Sequence, residues 1–120
     1  MLKRRYRLTR SKDFKAVYDK RNSVAAATLV LYIMDNDSEA GPRVGFSVSG
    51  KIGGAVVRNR CRRMLSEAVR ARVKEMRAGR DYVFVGRKAL VGADFAKVSG
   101  DVQSALRRKD CLIKPADQTA

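Results

Sequence analysis

Apolar side chains recur along the chain with two different spacings, which predict both helices and strands. Near the start, Phe14 and Tyr18 are four residues apart, the spacing of one helix face. A helix is therefore expected from Ser11, whose hydroxyl can cap it, to about Lys20. Residues 23–34 then alternate in the manner of a single strand.

A second strand is predicted over residues 43–49, in which apolar residues again occupy alternate positions. The segment 35–42 between the two strands is rich in Asp, Gly and Pro, a composition typical of a hairpin connection. Residues 50–54 form a glycine-rich turn. The first half of the chain thus reads as a helix followed by two strands.

The second half of the chain predicts a long helix, a strand and a last helix. The long helix is expected from about Ala55 to Arg77, with Gly79 as its breaker. Residues 82–86 form a short apolar strand, and Asp94 can cap the last helix. The element order is α-β-β-α-β-α, and a strand–helix–strand unit allows parallel pairing within a mixed sheet.

The long helix has one apolar side and one strongly basic side. Cys61 and Leu65 lie in the apolar arc, whereas four arginines fall within six residues on the polar side or at its border. Such cations repel one another and are disfavoured near a helix N-terminus. Phosphate reverses both effects, so the cluster indicates a phosphate ligand. The four residues are Arg58, Arg60, Arg62 and Arg63.

The net charge of the 120 residues is +15, with a sequence pI near 10.6. Two segments carry this excess: residues 1–23 have a net charge of +7 and residues 51–80 one of +8. A domain this basic favours a polyanionic partner, and the two concentrations suggest one composite binding face. Histidine is absent, which excludes histidine catalysis and histidine metal sites.

The length fits one domain over residues 1–120, with a basic N-terminal segment 1–10 and a frayed tail over 112–120. No apolar stretch is long enough for a membrane span or a signal peptide, so a cytoplasmic protein is expected. Two cysteines cannot form a four-ligand zinc site. Cys61 is predicted to be buried, and Cys111 to be a free thiol on the surface.

Aromatic residues offer a second candidate site. Phe14, Tyr18 and Tyr32 come together if the first helix packs on one face of the sheet. They are either ordinary core residues or the lining of a groove in which unpaired bases stack. The remaining phenylalanines are assigned to the core: Phe46, Phe84 and Phe95.

The stretch from Arg43 to Arg63 resembles the bacterial ribonuclease P protein subunit. It combines a V-G-F-S-V-S strand with K-I-G-G-A-V-V-R-N-R at the start of a basic helix. The pair Arg7-Leu8, followed by Phe14 and Tyr18, is similar to the N-terminal segment of that family. The resemblance implies an α-β-β-α-β-α sandwich, of a kind also found in a ribosomal protein domain. Its four-stranded sheet is mixed and contains a left-handed β-α-β crossover.

The resemblance also implies roles for individual residues. The family joins a catalytic RNA and helps to remove the 5′ leader of precursor tRNA. The face that meets RNA would comprise Lys51, Arg58, Asn59, Arg60, Arg62, Arg63 and Arg70. The cleft that holds the leader would comprise Arg7, Phe14, Tyr18 and Tyr32. The chain departs from the family pattern at Ala26-Ala27, Gly50 and Ser66.

The acidic residues do not form a hydrolase site. Asp35, Asp37 and Glu39 cluster only in a connection, where an exposed acidic turn or a weak cation site is expected. Bond cleavage is therefore assigned to Mg²⁺ held by the RNA subunit. The expected partners are the catalytic RNA and precursor tRNA, with no membrane and no obligate protein partner.

Two other functions remain open. A ribosomal or RNA-chaperone protein without an enzymatic role would have the same composition, although the R-N-R block favours ribonuclease P. A DNA-binding repressor is disfavoured, because no helix-turn-helix spacing is present.

Overall fold

The fold comprises three α-helices, four strands and three short 3₁₀ helices, and the computed structural model describes residues 2–36 and 41–113 of the chain. Asp37 and Glu39 of the predicted acidic turn lie outside this range, as do residues 114–120. The α-helices and strands are α1 Ser11–Asp19, β1 Ser23–Ala25, β2 Leu29–Asp35, β3 Arg43–Ser47, α2 Ala55–Arg70, β4 Arg80–Gly86 and α3 Phe95–Arg108. The 3₁₀ helices are Arg4–Tyr6, Val73–Glu75 and Lys88–Leu90.

The four strands form one mixed sheet in the order β1-β2-β4-β3. Strand β2 is antiparallel to β1 and to β4, whereas β3 is parallel to β4, with Val44 opposite Tyr82. The chain passes from β3 to β4 through α2, as a parallel connection requires. The predicted α/β fold with a mixed four-stranded sheet is confirmed.

The hairpin predicted for segment 35–42 is wrong. Strands β2 and β3 are not neighbours, because β4 lies between them and pairs with β2 over seven residues, from Leu29–Gly86 to Asp35–Arg80. The turn composition of the segment is compatible with any change of direction. It therefore could not reveal that β4, about 40 residues farther along the chain, lies between β2 and β3.

The single strand predicted over residues 23–34 is two strands joined by a tight turn. Ser23 pairs with Tyr32, and Ala26 N–H donates to the carbonyl of Leu29 at 2.8 Å. The turn is anchored from α3: the backbone N–H and the hydroxyl of Thr28 both donate to Asp101 Oδ2, at 3.0 and 2.6 Å. This long-range anchor explains how a run of alanines without a turn signal reverses direction.

The sheet is covered on both faces. The main core lies between the sheet and helices α2 and α3, with Leu31, Leu65 and Phe84 fully buried. On the other face, α1 packs Val17 against Val83 in a smaller apolar cluster. Helix α1 begins at Ser11 as predicted. The expected Ser11 cap is wrong, because Arg10 is the N-cap residue and no side chain caps the helix.

Helix α2 ends at Arg70 rather than at Arg77. The chain continues through the 3₁₀ helix Val73–Glu75, and Met76 is still buried although it lies outside the helix. Arg72, which lies in the apolar arc of the predicted helix, follows the end of α2, and its Nη1 group donates to Ala68 O at 3.1 Å and to Ser99 Oγ at 3.0 Å. It therefore ties α2 to α3.

At the last helix, Asp94 caps α3 as predicted, since its Oδ1 accepts the Lys97 N–H at 2.8 Å. Two assignments at its ends are wrong. Phe95 is 49% exposed instead of buried, because it occupies the first helical position beyond the sheet. Cys111 is fully buried instead of a surface thiol, because the chain turns back under the core after Arg108.

The chain that follows α3 is fixed for at least two residues of the segment predicted as a frayed tail. Leu112 forms an isolated antiparallel bridge with Met76, and Ile113 N–H donates to Glu75 O at 2.7 Å. Cys61 is buried in the main core as predicted.

Candidate nucleic-acid interface

One stripe of helix α2 faces away from the core and carries polar side chains at helical spacing. Its residues occupy positions i, i+3, i+4 and i+7, so they lie one above another on a single side of the helix. They are Asn59, Arg62, Arg63 and Ser66. The apolar side of the same helix, with Cys61, is buried, which fixes this stripe outward.

The stripe forms one wall of a groove that runs beside the edge strand β3. The groove consists of two adjoining hollows of about 520 and 390 Å³ that share Thr9, Phe14, Phe46 and Arg62. Its opposite wall is α1, and its floor is β3. We call this feature the β3 groove. Its lining includes Leu8, Thr9, Phe14, Tyr18, Phe46, Asn59, Arg62, Arg63 and Ser66.

The aromatic wall of the β3 groove depends on a glycine in β3. An ideal Cβ on Gly45 would lie 2.5 Å from Phe14 Cζ, so only glycine allows the ring to rest on the strand. The Tyr18 ring centroid lies 6.5 Å from that of Phe14 and 5.0 Å, edge-on, from that of Tyr32. The predicted grouping of the three aromatics is therefore present, with Tyr32 packed behind Tyr18 rather than on the walls of the hollows.

Asn59 and Arg62 form a hydrogen-bonded pair at the mouth of the groove. The Nη2 group of Arg62 donates to Asn59 Oδ1 at 2.7 Å. Arg62 is half-buried and lines both hollows, together with Phe14. Asn59 thus holds a cation beside an aromatic ring, an arrangement that can bind a phosphate and an adjacent base together.

The N-terminal segment closes one end of the β3 groove. Leu2 is buried in the main core, and its N–H donates to Ser66 Oγ on α2 at 3.4 Å. The Leu8 N–H donates to Val44 O at 2.8 Å, which adds the segment to the free edge of β3. Arg7, predicted in the leader cleft, lines the first hollow but turns back to donate from Nε to Leu2 O at 2.8 Å.

The other predicted RNA-binding residues lie outside the hollows. Arg60 and Lys51 are exposed, the first on α2 and the second in the turn before it. Arg58 is half-buried, and its Nε atom has no hydrogen-bond partner among the described residues. Arg70 is about 18 Å farther along the helix than Arg58 and pairs with Glu67 at 2.9 Å.

Several groove residues were not predicted as site residues from the sequence, among them Phe46, Thr9 and Ser66. Phe46 was assigned to the core, and it does stack on Phe84 with centroids 6.0 Å apart, yet it also forms part of the floor because β3 is an edge strand. Thr9 carries no distinguishing signal. Ser66 could have been found, since it stands seven residues after Asn59 on the same face of the helix.

The carboxylates near the groove already form ion pairs with a cation, Arg43. Asp81 is fully buried and accepts two bonds from Arg43, at 3.0 and 2.7 Å, while Asp13 lies 3.9 Å from the same guanidinium. Within residues 2–36 and 41–113, no group of three potential metal ligands occurs, and these paired acids do not fit a magnesium site. No helix in the same ranges is long and apolar enough to cross a membrane.

Comparison with known proteins identifies the family, because the family model described as Ribonuclease P matches residues 2–110. The chain belongs to the ribonuclease P protein family. It is 41% identical over 109 residues to the ribonuclease P protein component of Acidothermus cellulolyticus, covering 90% of this chain and 91% of that protein. It is 36% identical to that of Bacillus velezensis over 117 residues, covering 98% of this chain and 100% of the relative.

A solved structure shares the fold of this ribonuclease P protein. It is that of a Staphylococcus aureus RNase P protein mutant with defective mRNA degradation activity, with a TM-score of 0.81 and 27% identity over 89% of this chain and 90% of that one. The chain is therefore the protein subunit of ribonuclease P, a tRNA-processing enzyme composed of RNA and protein. The resemblance seen in the R-N-R helix is confirmed.

Proposed function

We propose that this subunit binds the catalytic RNA through the exposed basic side of α2 and holds the 5′ leader of precursor tRNA in the β3 groove. The observation that carries the proposal is that Arg62 and Phe14 line the same two hollows. A cation and an aromatic face side by side suit a flexible single strand, whose phosphates and bases alternate.

The groove suits unpaired nucleotides better than a duplex. Its floor and one wall offer the apolar faces of Phe14 and Phe46, with Tyr18 at the far end, and paired bases could not reach them. Stacking tolerates every base, so leaders of different sequence can be held. Mature tRNA has no leader and gains nothing from this groove.

The contact with the catalytic RNA rests on Arg60 and Arg63, with Lys51 in the preceding turn. All three are exposed, and none has a carboxylate partner among the described residues. Clustered cations without acidic partners favour binding to phosphates, because counterions released from the RNA supply the driving force.

Within this proposal the protein positions RNA and neutralises charge. Magnesium ions held by the catalytic RNA supply the hydrolytic chemistry when bound. The chain's own contribution is to fix the leader beside the α2 face, so that the scissile phosphate stays in register.

The test is reconstitution with a catalytic RNA subunit at low Mg²⁺, using precursors whose leaders lengthen one nucleotide at a time. We expect the protein to restore cleavage and to tighten precursor binding until the groove is filled. The affinity for mature tRNA should hardly change. Equal tightening of both tRNAs would refute the leader groove and leave only charge neutralisation.

The alternative is an RNA-binding protein without a role in an enzyme, which predicts RNA binding but no gain in precursor cleavage. A separate experiment incubates the protein alone with precursor tRNA and with an mRNA, because the Staphylococcus aureus neighbour is a mutant with defective mRNA degradation activity. We expect both RNAs to stay intact. Cleavage abolished by a point mutation in this chain would show a catalytic site within the protein itself.

A further inference from the structure

A second group of cations lies along the edge strand β1, on the sheet edge opposite the β3 groove. Its members come from two parts of the chain, the residue after β4 and the end of α3, and each donates a hydrogen bond to residues 22–26. We call Arg87, Arg108 and Lys109 the β1 cation row. Their bonds are Arg87 Nη1 to Ala26 O at 2.8 Å, Arg108 Nη1 to Ala25 O at 2.9 Å, and Lys109 Nζ to Asn22 Oδ1 at 2.8 Å.

The row has no acidic partner, unlike several other cations of the molecule. Among the described residues, no carboxylate forms an ion pair with any of its three members, and Asp110 beside them faces Arg77 instead, at 3.5 Å. Several cations elsewhere pair with acids, as in Arg43–Asp81, Arg70–Glu67, Arg80–Asp35 and Lys97–Asp101. In this respect the row resembles the basic side of α2.

The three cations lie along a short stretch of chain, and two of them are exposed to solvent. Residues 22 to 26 span about 13 Å of extended chain, so three positive charges occupy that length. Arg87 and Arg108 are exposed. A guanidinium has five N–H donors, and the bond to the strand carbonyl occupies one of them. The other donors can reach a ligand lying along β1.

Local structure accounts for part of this arrangement only. Arg108 and Lys109 lie at the C-terminus of α3, where the helix dipole favours cations, and Arg108 covers a carbonyl of the edge strand. Arg87, which comes from beyond β4, likewise covers a carbonyl at this edge, that of Ala26, but no helix C-terminus favours its charge. Three unpaired cations converging from two elements repel one another unless an anion lies between them.

We propose that the β1 cation row binds the phosphate backbone of an RNA strand, at a contact separate from the β3 groove and the α2 face. Strands β1 and β3 are separated by β2 and β4, which places the row about 14 Å from the groove edge across the sheet. The subunit then holds RNA at both edges of its sheet. This inference rests on the RNA partners proposed above.

The experiment compares Arg87→Gln, Arg108→Gln and the double variant with the wild type, each assembled with a catalytic RNA subunit. Two affinities are measured across a range of salt: that of the protein for the catalytic RNA, and that of the holoenzyme for precursor tRNA. The affinity that falls shows which RNA supplies the phosphates. We expect a two- to fivefold loss per cation, and a log–log salt slope smaller by about 0.7–0.9 for each lost contact.

Lys74→Gln is the matched control, since it removes an exposed cation from the 3₁₀ helix after α2. Arg108→Lys keeps the charge and should retain most of the affinity. A lower melting temperature with both affinities and slopes unchanged would overturn the inference and leave the row as a cover for β1. If the wild type binds neither RNA, the proposed function fails as well, whereas wild-type binding with unaffected variants refutes the row alone.

Discussion

Asn59 accepts a hydrogen bond from Arg62 at 2.7 Å, one helical turn farther along α2. The asparagine of the R-N-R block therefore positions the arginine that lines the β3 groove, while Arg60 between them is exposed on the other side. The block thus serves two surfaces at once. Its middle residue orients a groove cation, and its last residue belongs to the exposed α2 surface that we propose meets the catalytic RNA.

We expect Asn59→Ala and Arg62→Ala to be coupled in their effect on precursor binding. Each single change should weaken the leader-dependent affinity, because the guanidinium is lost or no longer held. In the double variant the loss should fall short of the sum by about 0.5–1.5 kcal/mol, the value of one such bond. The measurement is holoenzyme affinity for precursors with and without a leader. Strict additivity would contradict the positioning role of Asn59.

Arg60→Ala should weaken assembly with the catalytic RNA without unfolding the protein. The side chain is exposed, so the free energy of unfolding should change by less than about 0.5 kcal/mol. The log–log slope of affinity against salt should fall by about 0.7–0.9, for one lost phosphate contact. Titrations of the catalytic RNA at several salt concentrations measure the slope. An unchanged slope would mean that Arg60 is only solvated.

Gly45→Ala should change the shape of the β3 groove at its floor, which strand β3 forms. The new Cβ would lie 2.5 Å from Phe14 Cζ, so the ring must move and the protein should lose about 1–3 kcal/mol of unfolding free energy. Leader-dependent affinity should fall with it. Gly100→Ala is the control: apart from the adjoining backbone of α3, no atom lies within 4 Å of its added Cβ, and this position should gain about 0.5–1 kcal/mol. Equal stability changes in both variants would argue against the Phe14 contact.

Tyr18→Ala should reduce the gain in affinity that a leader provides by about 1 kcal/mol or more. The same variant should still assemble with the catalytic RNA, although loss of the contact with Tyr32 will lower its melting temperature. Tyr18→Phe preserves the ring and should retain both properties. If Tyr18→Ala weakens the binding of mature and precursor tRNA alike, the tyrosine is a core residue and not part of a leader site.

The Thr28–Asp101 contact predicts a pH dependence of stability. Burial raises the pKa of Asp101, but the bonds from the Thr28 hydroxyl and amide and the Lys97 ion pair, at 3.2 Å, outweigh it, so the pKa lies below its usual value. A carboxyl with a depressed folded-state pKa stabilises the protein above its unfolded pKa of about 3.9. This stabilisation is lost as the pH falls through the lower, folded-state value.

Thr28→Val removes the hydroxyl donor and should cost about 1–2 kcal/mol at neutral pH. The loss should shrink only as the pH falls through the lowered folded-state pKa of Asp101, where the carboxyl of the folded protein becomes protonated. Urea unfolding between pH 7 and pH 2 measures this, with Ser104→Ala on the same helix as the control. A constant difference between wild type and Thr28→Val across that range would contradict the assignment to Asp101.

Local patterns predicted the elements of the fold but not the partners of the strands. The Asp94 cap, the α1 span and the buried side of α2 follow from residues close together in sequence, and the structure confirms them. The order β1-β2-β4-β3 depends on pairing between residues some 50 apart, which leaves no local trace. The turn at Thr28 likewise depends on Asp101.

The candidate site was predicted in its charges and aromatics but not in its shape. The R-N-R arginines and Phe14 were recognised by residue type, whereas the β3 groove exists because Leu2 and Leu8 bring the N-terminal segment against α2 and β3. Phe46 packs against the core as predicted, but its place in the groove floor could not be predicted. Alternation shows which side of a strand a residue faces, not whether the strand is at an edge.

The central position of β4 also determines when the protein can fold during its synthesis. Strand β3 and helix α2 are translated before β4, yet β3 has no sheet neighbour other than β4 among the described strands. Until the ribosome has released residue 86, only the β1–β2 pair can form, and the basic helix has no sheet to pack on. Long-range pairing of this kind slows folding and prolongs the exposure of apolar strands. The nascent subunit therefore acquires its β3 groove only once most of its chain has emerged.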